Sequence, residues 1–153
     1  MSRRIPRRLA RLPIPLYHWG FGPLLGHRLM MLEHRGRTTG QRRYVVLEVL
    51  DRGPGWLLLA SGYGASSHWY RNVVATPEVR VWTGRLKNVP ARGVPVPLTE
   101  TAQLLTTYRE QHRRAAKALG RTLAIPDLVS DGPIPADIGS RLPLLRIEFT
   151  DDV

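Results

Sequence analysis

The sequence contains no cysteine, which excludes disulfide bonds, thiolate zinc sites and a cysteine nucleophile. Lysine is nearly absent, because Lys87 and Lys117 are the only two lysines among 23 basic residues. Acidic residues number 12, so the net charge is +11 and an anionic partner is favoured. No run of about 18 apolar residues occurs, so no segment is predicted to span a membrane.

The chain of 153 residues is 42% hydrophobic, which suits one domain with its own core, predicted over residues 28–153. Residues 1–27 form a basic leader that carries Tyr17, Trp19 and Phe21 beside its arginines. Two interpretations stay open: the leader packs on or flanks the core, or it makes peripheral contact with an anionic membrane surface. The leader lacks the apolar core of a secretory signal, and with the absence of cysteine this predicts a cytoplasmic protein, with membrane association as the alternative.

The stretch from Gly36 to Arg43 lies between two apolar runs, residues 28–35 and 44–50, that read as the strands of a hairpin. It carries glycines, threonine hydroxyls and arginines, which together can present N–H groups, hydroxyls and guanidinium forks to one anion. It is not a Walker A loop, because no Lys-Ser/Thr pair follows Gly40. The alternative is a polar hairpin turn in which Gly40 takes a positive φ.

Short apolar runs separated by turn residues continue along the chain, and they predict a mostly antiparallel, mainly β (α+β) protein of about six strands. The third strand is expected to continue a meander from the hairpin. Pro90 predicts an edge position or a bulge for the fifth strand. The four later strands are predicted at Trp56 to Ala60, Val79 to Thr83, Leu86 to Val94 and Leu142 to Phe149.

Two helices are predicted. A short one begins after a cap at Ser66 or Ser67 and ends near Ala75, before Thr76-Pro77. A long one spans about residues 99–119, with Thr99 as its N-cap and Gly120 following its end. Its inward row is formed by apolar residues at helical spacing, namely Leu104, Leu105, Tyr108, Ala115, Ala116 and Leu119.

Three stretches together resemble the deazaflavin (F420)-dependent nitroreductase family, whose members are small oxidoreductases. The matching runs are Leu32 to Gln41, Ala60 to Gly64 and His68 to Val73, the last followed by Thr76-Pro77. The resemblance covers about residues 29–94. It implies a split β-barrel, the fold shared with FMN-binding proteins, here with a short helix and one long packed helix.

The resemblance also implies a binding site for coenzyme F420, with FMN as a weaker alternative. The phosphodiester side would be held by residues of the first stretch: Arg37, Thr38, Thr39, Gly40 and Arg43. The deazaflavin ring would lie against residues of the other two: Ala60, Ser61, Gly62, Tyr63, Gly64 and Trp69. Tyr63 and His68 are candidates for a catalytic proton donor. Trp69 is more typical of a core residue, and no metal site is predicted, because the histidines lack ligand spacing.

The resemblance weakens in the long helix, where nitroreducing members carry a tyrosine-rich run and this chain has Tyr108 alone. The acceptor therefore stays open among small hydrophobic compounds such as quinones, enones and nitro compounds. A non-catalytic binder of F420, a flavin or a fatty acyl ligand on the same fold is the alternative. A nucleic-acid partner is not predicted, because no recognised binding motif accompanies the charge. A monomer or a homodimer is equally compatible with the sequence.

Overall fold

The computed structural model describes residues 28–62 and 64–151, so the leader 1–27 and Tyr63 lie outside the described residues. The strands are β1 Leu29–Arg35, β2 Arg42–Glu48, β3 Asp51–Gly53, β4 Trp56–Ala60, β5 Glu78–Thr83, β6 Leu86–Pro95 and β7 Leu144–Phe149. The α-helices in this part of the chain are α1 His68–Ala75, α2 Leu98–Gln111, α3 Arg113–Leu123 and α4 Ile138–Arg141. Single 3₁₀ turns occur at Gly64–Ser66 and Pro126–Leu128.

The strands form one antiparallel sheet in the order β2-β1-β5-β6-β7-β4-β3. The two outermost strands, β2 and β3, are consecutive in the chain, with Val49 and Leu50 between them. The same stretch therefore pairs first with β1 and then with β4, and the Leu50 N–H donates to the Leu58 carbonyl at 2.9 Å. The sheet thus curls back toward itself, and the predicted split β-barrel is confirmed.

One detail of the predicted sheet is wrong, and of the two alternatives predicted for Pro90 the structure excludes the edge position. The third predicted strand, β4, lies between β7 and β3 rather than beside β2, so the first strands do not form a simple meander. Pro90 belongs to β6, which is an interior strand between β5 and β7 rather than an edge strand. The irregularity that proline suggests is present in the pairing of β5 with β6, where the register shifts between Val81 and Thr83.

The continuous apolar character of β4 follows from burial on both faces. Leu57 and Leu59 point into the barrel cluster, which also contains Met30 and Val81. Leu58 points the other way, into a second cluster that the helices cover. A strand that is buried on both faces has no alternating polar residues, and the sequence of β4 is therefore apolar throughout.

The predicted long helix is two helices, because the chain breaks at His112 with φ −133° and ψ 58°. Helix α2 begins at Leu98, one residue before the predicted cap Thr99. Helix α3 continues past Gly120 and ends at Leu123, and the following Ala124 adopts the left-handed conformation. The predicted inward row is retained on both helices and lies in the second cluster, partly or fully buried. None of the helices in the described part of the chain is long and apolar enough to cross a membrane.

Candidate functional site

The first stretch forms a closed loop between β1 and β2. The Gly36 N–H donates to the Gln41 carbonyl at 2.9 Å, and the Gly40 N–H donates to the Gly36 carbonyl at 2.7 Å. Gly40 has φ +69°, as the turn interpretation predicts, and this conformation is strained for any residue with a Cβ. We call residues Gly36 to Arg43 the anion loop. Its backbone is fixed by its own hydrogen bonds, so its side chains extend from a defined frame.

The arginines of the anion loop differ in their partners. Arg42 lies 3.9 Å from Glu33, a carboxylate that also accepts a hydrogen bond from the Tyr44 hydroxyl at 3.1 Å. Arg37 and Arg43 are exposed and have no carboxylate partner among residues 28–62 and 64–151. These two arginines therefore carry the uncompensated positive charge of the loop.

The two threonines are also exposed, but they are not equivalent. The Thr39 hydroxyl oxygen accepts a hydrogen bond from the Gln41 N–H at 3.3 Å, which keeps the side chain over the loop. Its oxygen lies 2.8 Å from the position that a Cβ would take on Gly36, so only glycine leaves room for it there. Thr38 makes no such contact within the described chain. Two hydroxyls and two arginines are thus presented on one exposed turn.

Arg37 joins the anion loop to helix α1. Its backbone N–H and its Nη1 both donate to the Asn72 Oδ1, at 3.2 and 2.8 Å. Its Nη2 lies 3.3 Å from the His68 Nδ1. The Asn72 Nδ2 in turn lies 3.1 Å from the Nδ1 of His34 on β1. The structure therefore brings the predicted residues Arg37 and His68 into direct contact and links Arg37 to His34 through Asn72.

The protonation of this network follows from its donors. Arg37 can only donate, so the Asn72 oxygen must face it and the Asn72 amide nitrogen must face His34. His34 Nδ1 then accepts, and the ring proton resides on Nε2. Burial and then the positive charge of Arg43 lower the pKa of His34 from 6.5 to about 4. His34 is only 4% exposed and is neutral at pH 7.

The second predicted stretch, after β4, is a tight turn. The buried Ser61 donates from its hydroxyl to the Gly64 carbonyl at 2.6 Å, and the Gly64 N–H donates to the Ser61 carbonyl at 3.0 Å. Gly64 has φ +76°, so this turn requires glycine there. At Gly62 a Cβ would lie 2.6 Å from the Leu123 side chain of α3. Part of the space that this glycine leaves is therefore filled by the protein itself.

Replacing Ser61 with alanine should lower the free energy of unfolding by about 1 kcal/mol, because one buried hydrogen bond is lost while the cavity created is small. Urea unfolding measures this directly. Ser67→Ala is the control, since Ser67 occupies the N-cap position of α1 without a side-chain cap bond and should change stability by no more than about 0.5 kcal/mol. Equal losses in both variants would contradict the role given to the Ser61 hydroxyl.

A groove of about 250 Å³ lies between the anion loop and helix α1. Arg37 from the anion loop and Ala65, next to Gly64, are on its wall, and Tyr70, Arg71, Val74 and Ala75 of α1 complete it. Val74 is 48% exposed, which is unusual for a large apolar side chain here. The groove combines two guanidinium groups with an apolar floor. Its volume is below the roughly 300 Å³ of small ligand pockets, so it suits one segment of a larger ligand.

Residues 20–126 match the F420H(2)-dependent quinone reductase family. The chain belongs to this family. The match includes the Ser61 turn as well as the anion loop and helix α1, which supply the residues of the groove together with Ala65. Among curated protein sequences, none matches this family member significantly.

Solved structures resemble this member of the quinone reductase family at low sequence identity. A putative pyridoxamine 5′-phosphate oxidase from Listeria innocua is 11% identical with a TM-score of 0.54, covering 89% of this chain and 94% of that one. The haem storage protein HutZ from Vibrio cholerae is 12% identical with a TM-score of 0.50, covering 93% and 91%. An F420-H2 dependent reductase, FDR-A, is 20% identical with a TM-score of 0.49, covering 80% and 96%. The first two similarities support the fold alone.

Two predicted site residues remain, Trp69 and Tyr63. Trp69 is 8% exposed and belongs to the barrel cluster, packed edge-on against Tyr70 at 5.9 Å. Tyr63 lies outside the described residues. Sequence reasoning missed His34, Arg71 and Val74 as parts of the site. The sequence did contain a signal for these site residues, because a polar residue occurs within an otherwise apolar stretch at two places. These residues are His34 near the end of β1 and Asn72 within α1.

Proposed function

We propose that this chain is an F420H2-dependent reductase that delivers a hydride from reduced deazaflavin to a small hydrophobic acceptor of the quinone, enone or nitro class. The observation that carries the proposal is the position of Arg37, which lies in the anion loop and also on the wall of the groove beside the Ser61 turn. One residue of the stretch to which the family resemblance gives the phosphate thus also lines a groove that reaches Ala65, the residue after the stretch to which it gives the ring. Family membership supports quinones within the acceptor class.

The residues present fit the cofactor. Arg37 and Arg43 supply charge without a competing carboxylate, and the Thr38 and Thr39 hydroxyls add neutral hydrogen-bond partners for phosphate oxygens. The groove adds Arg71 and an apolar floor beside them. The donor set therefore suits a phosphodiester attached to a larger planar group. When bound, F420 supplies the hydride chemistry, and the protein supplies position and electrostatics.

The protein residues act by binding and orientation. The closed anion loop fixes the phosphate end, which limits how the attached ring can move. Ser61 is fully buried and its hydroxyl donates to the Gly64 carbonyl, so this serine shapes the turn. His68 is exposed at the start of α1 and contacts Arg37 on the groove wall, which makes it our candidate for proton delivery after hydride transfer.

The test is anaerobic titration of the purified protein with F420, followed by oxidation of reduced F420 under a panel of quinones, enones and nitro compounds. Loss of the reduced cofactor only when both the protein and a quinone are present is the expected outcome. Binding without turnover across the whole panel would favour the non-catalytic binder. Absence of F420 binding would refute the proposal.

F420 should bind more tightly than FMN. The anion loop presents two uncompensated arginines and the groove presents Arg71, so a longer polyanionic tail meets more positive charge than a single FMN phosphate. Calorimetry with both ligands at one ionic strength measures the difference, which should narrow as salt is added. Tighter FMN binding, or a difference insensitive to salt, would contradict this expectation.

A further inference from the structure

Asn72 on helix α1 links the anion loop to strand β1. It is 2% exposed, and its side chain contacts the anion loop on one side and His34 of β1 on the other. Its own backbone carbonyl accepts the Thr76 N–H at 2.8 Å, so the residue is held in the last turns of α1. We propose that Asn72 is the positioning residue of the anion loop, whose amide holds the Arg37 guanidinium in place while leaving its charge available to a bound anion.

The amide is suited to this task because it is neutral. A carboxylate at the same place would also hold Arg37, but it would cancel the charge that an anion must meet. The loop contains that contrasting case in Arg42, which lies beside Glu33. Arg37 instead contacts Asn72 Oδ1 and the ring nitrogen of His68. It is therefore oriented by uncharged acceptors.

The network also leaves donors for a ligand. A guanidinium has five N–H groups, and Arg37 directs one at Asn72 and one at His68. The other three can serve a phosphate. Since a free arginine side chain loses rotamer freedom when it binds, holding it beforehand reduces the entropy lost on binding. Asn72 thus contributes to anion affinity without touching the anion.

The orientation of Asn72 is set by Arg37 and matched by His34. Because the Arg37 donors must face the Asn72 oxygen, the amide nitrogen faces Nδ1 of His34, which accepts its hydrogen bond. With its proton on Nε2, the buried histidine then opposes rotation of the amide, which would place the amide oxygen against a ring acceptor. Strand β1, the anion loop and helix α1 are joined at this one side chain.

The inference rests on the proposed function for its ligand, and a double-mutant cycle tests it. Asn72→Ala should weaken F420 about tenfold in the parent. In the Arg37→Ala background the same substitution should change the dissociation constant less than about twofold, because the residue it positions is gone. Equal losses in both backgrounds would overturn the inference. Thr101→Ala, which removes a buried hydroxyl from helix α2, is the control. This variant should lower the melting temperature without changing F420 affinity.

Asn72→Asp separates positioning from folding. The carboxylate keeps the shape and the acceptor for Arg37, and its second oxygen can accept from His34 once the ring proton moves to Nδ1. The loop should therefore remain held while F420 affinity falls at least as far as in Asn72→Ala. An aspartate variant that binds F420 like the parent would overturn the role of the neutral amide.

Two readouts keep a failure of the inference distinct from a failure of the proposed function. NMR of the ligand-free protein should show separate, slowly rotating Arg37 Nη proton signals that merge in Asn72→Ala. Inorganic tripolyphosphate should reproduce the F420 cycle as a simple anion. If F420 does not bind but the Nη signals merge and the tripolyphosphate cycle is non-additive, the proposed function fails and the positioning role stands. If the Arg37 signals are the same in parent and variant, the positioning role fails whatever F420 does.

Discussion

Replacing Arg37 with alanine should weaken F420 binding roughly 30-fold, a loss on the order of 2 kcal/mol. The substitution removes up to two charge-assisted hydrogen bonds to the cofactor phosphate, each contributing about 1.5–3 kcal/mol before solvent screening reduces them. Calorimetric titration with F420 measures the change. The parent and the variant should be compared at two salt concentrations, because the charge component weakens as salt is added.

Arg113→Ala is the matched control for this experiment. Arg113 is also exposed and lies in the first turn of α3, without an acidic partner in the described part of the chain. Its removal subtracts the same charge from the protein without altering the anion loop. If both variants lose F420 affinity equally, general electrostatics explains the effect and the loop is not a specific site. An Arg37→Ala protein that binds like the parent would exclude Arg37 from the site altogether.

The free energy of unfolding should fall by on the order of 3 kcal/mol between pH 7 and about pH 4 through His34 alone. The pKa of His34 is about 4 in the folded protein and 6.5 in the unfolded chain. Between these values the unfolded chain binds a proton that the folded protein does not, so acid favours unfolding. The contribution is complete above pH 6.5 and is lost as the pH falls toward 4. Urea unfolding across this range measures it.

His34→Gln isolates that contribution. Glutamine can accept the Asn72 hydrogen bond but does not titrate, so the slope between pH 6.5 and 4 should be shallower in the variant than in the parent. A control is needed because other groups act in the opposite direction: burial raises the pKa of Glu48, and a raised pKa favours the folded state as the pH falls. Identical slopes in parent and variant would show that His34 titrates normally.

The turn chemistry of the anion loop could be predicted because it is local. Gly40 lies between two apolar strands, and a hairpin there requires a residue that tolerates a positive φ. The Ser61 turn and the end of α1 before Pro77 follow from equally short-range rules. These local rules therefore identified the anion loop, which lines the groove through Arg37, and the turn that precedes Ala65.

The break at His112 could not be predicted, since no proline or glycine marks it and the apolar spacing continues through it. In the folded chain the His112 ring lies 5.5 Å from the Tyr108 ring and its Nε2 lies 3.9 Å from Asp51. Contacts with a distant strand thus accompany the change of direction. The bend at Val49-Leu50 is similar, because both residues have ordinary strand propensity and the bend exists only through pairing with β4.

The role of Asn72 was beyond sequence reasoning for a related reason. An asparagine near a helix end is commonly a cap or turn residue. The Asn72 side chain can contact Arg37 and His34 only because β1 and the anion loop lie against α1 in the folded chain. That contact also changes one expectation. An exposed loop arginine normally alters stability by less than about 0.5 kcal/mol when removed. Arg37→Ala, however, removes the Nη1 donor and leaves the buried Asn72 oxygen with only the backbone N–H of residue 37, so the variant should also unfold more easily.

The order of the strands in the sheet has a consequence for how the binding surface is assembled during folding. The anion loop belongs to the β1–β2 hairpin, whose pairings are close in sequence and can form early. Strand β4, which leads into the Ser61 turn, pairs along its length with β7, and β7 follows every other described strand in the chain. On a ribosome, the anion loop can therefore take shape while β4 still lacks the strand that pairs along its length. The anion loop and the Ser61 turn become parts of one sheet only when β7 has inserted between β6 and β4.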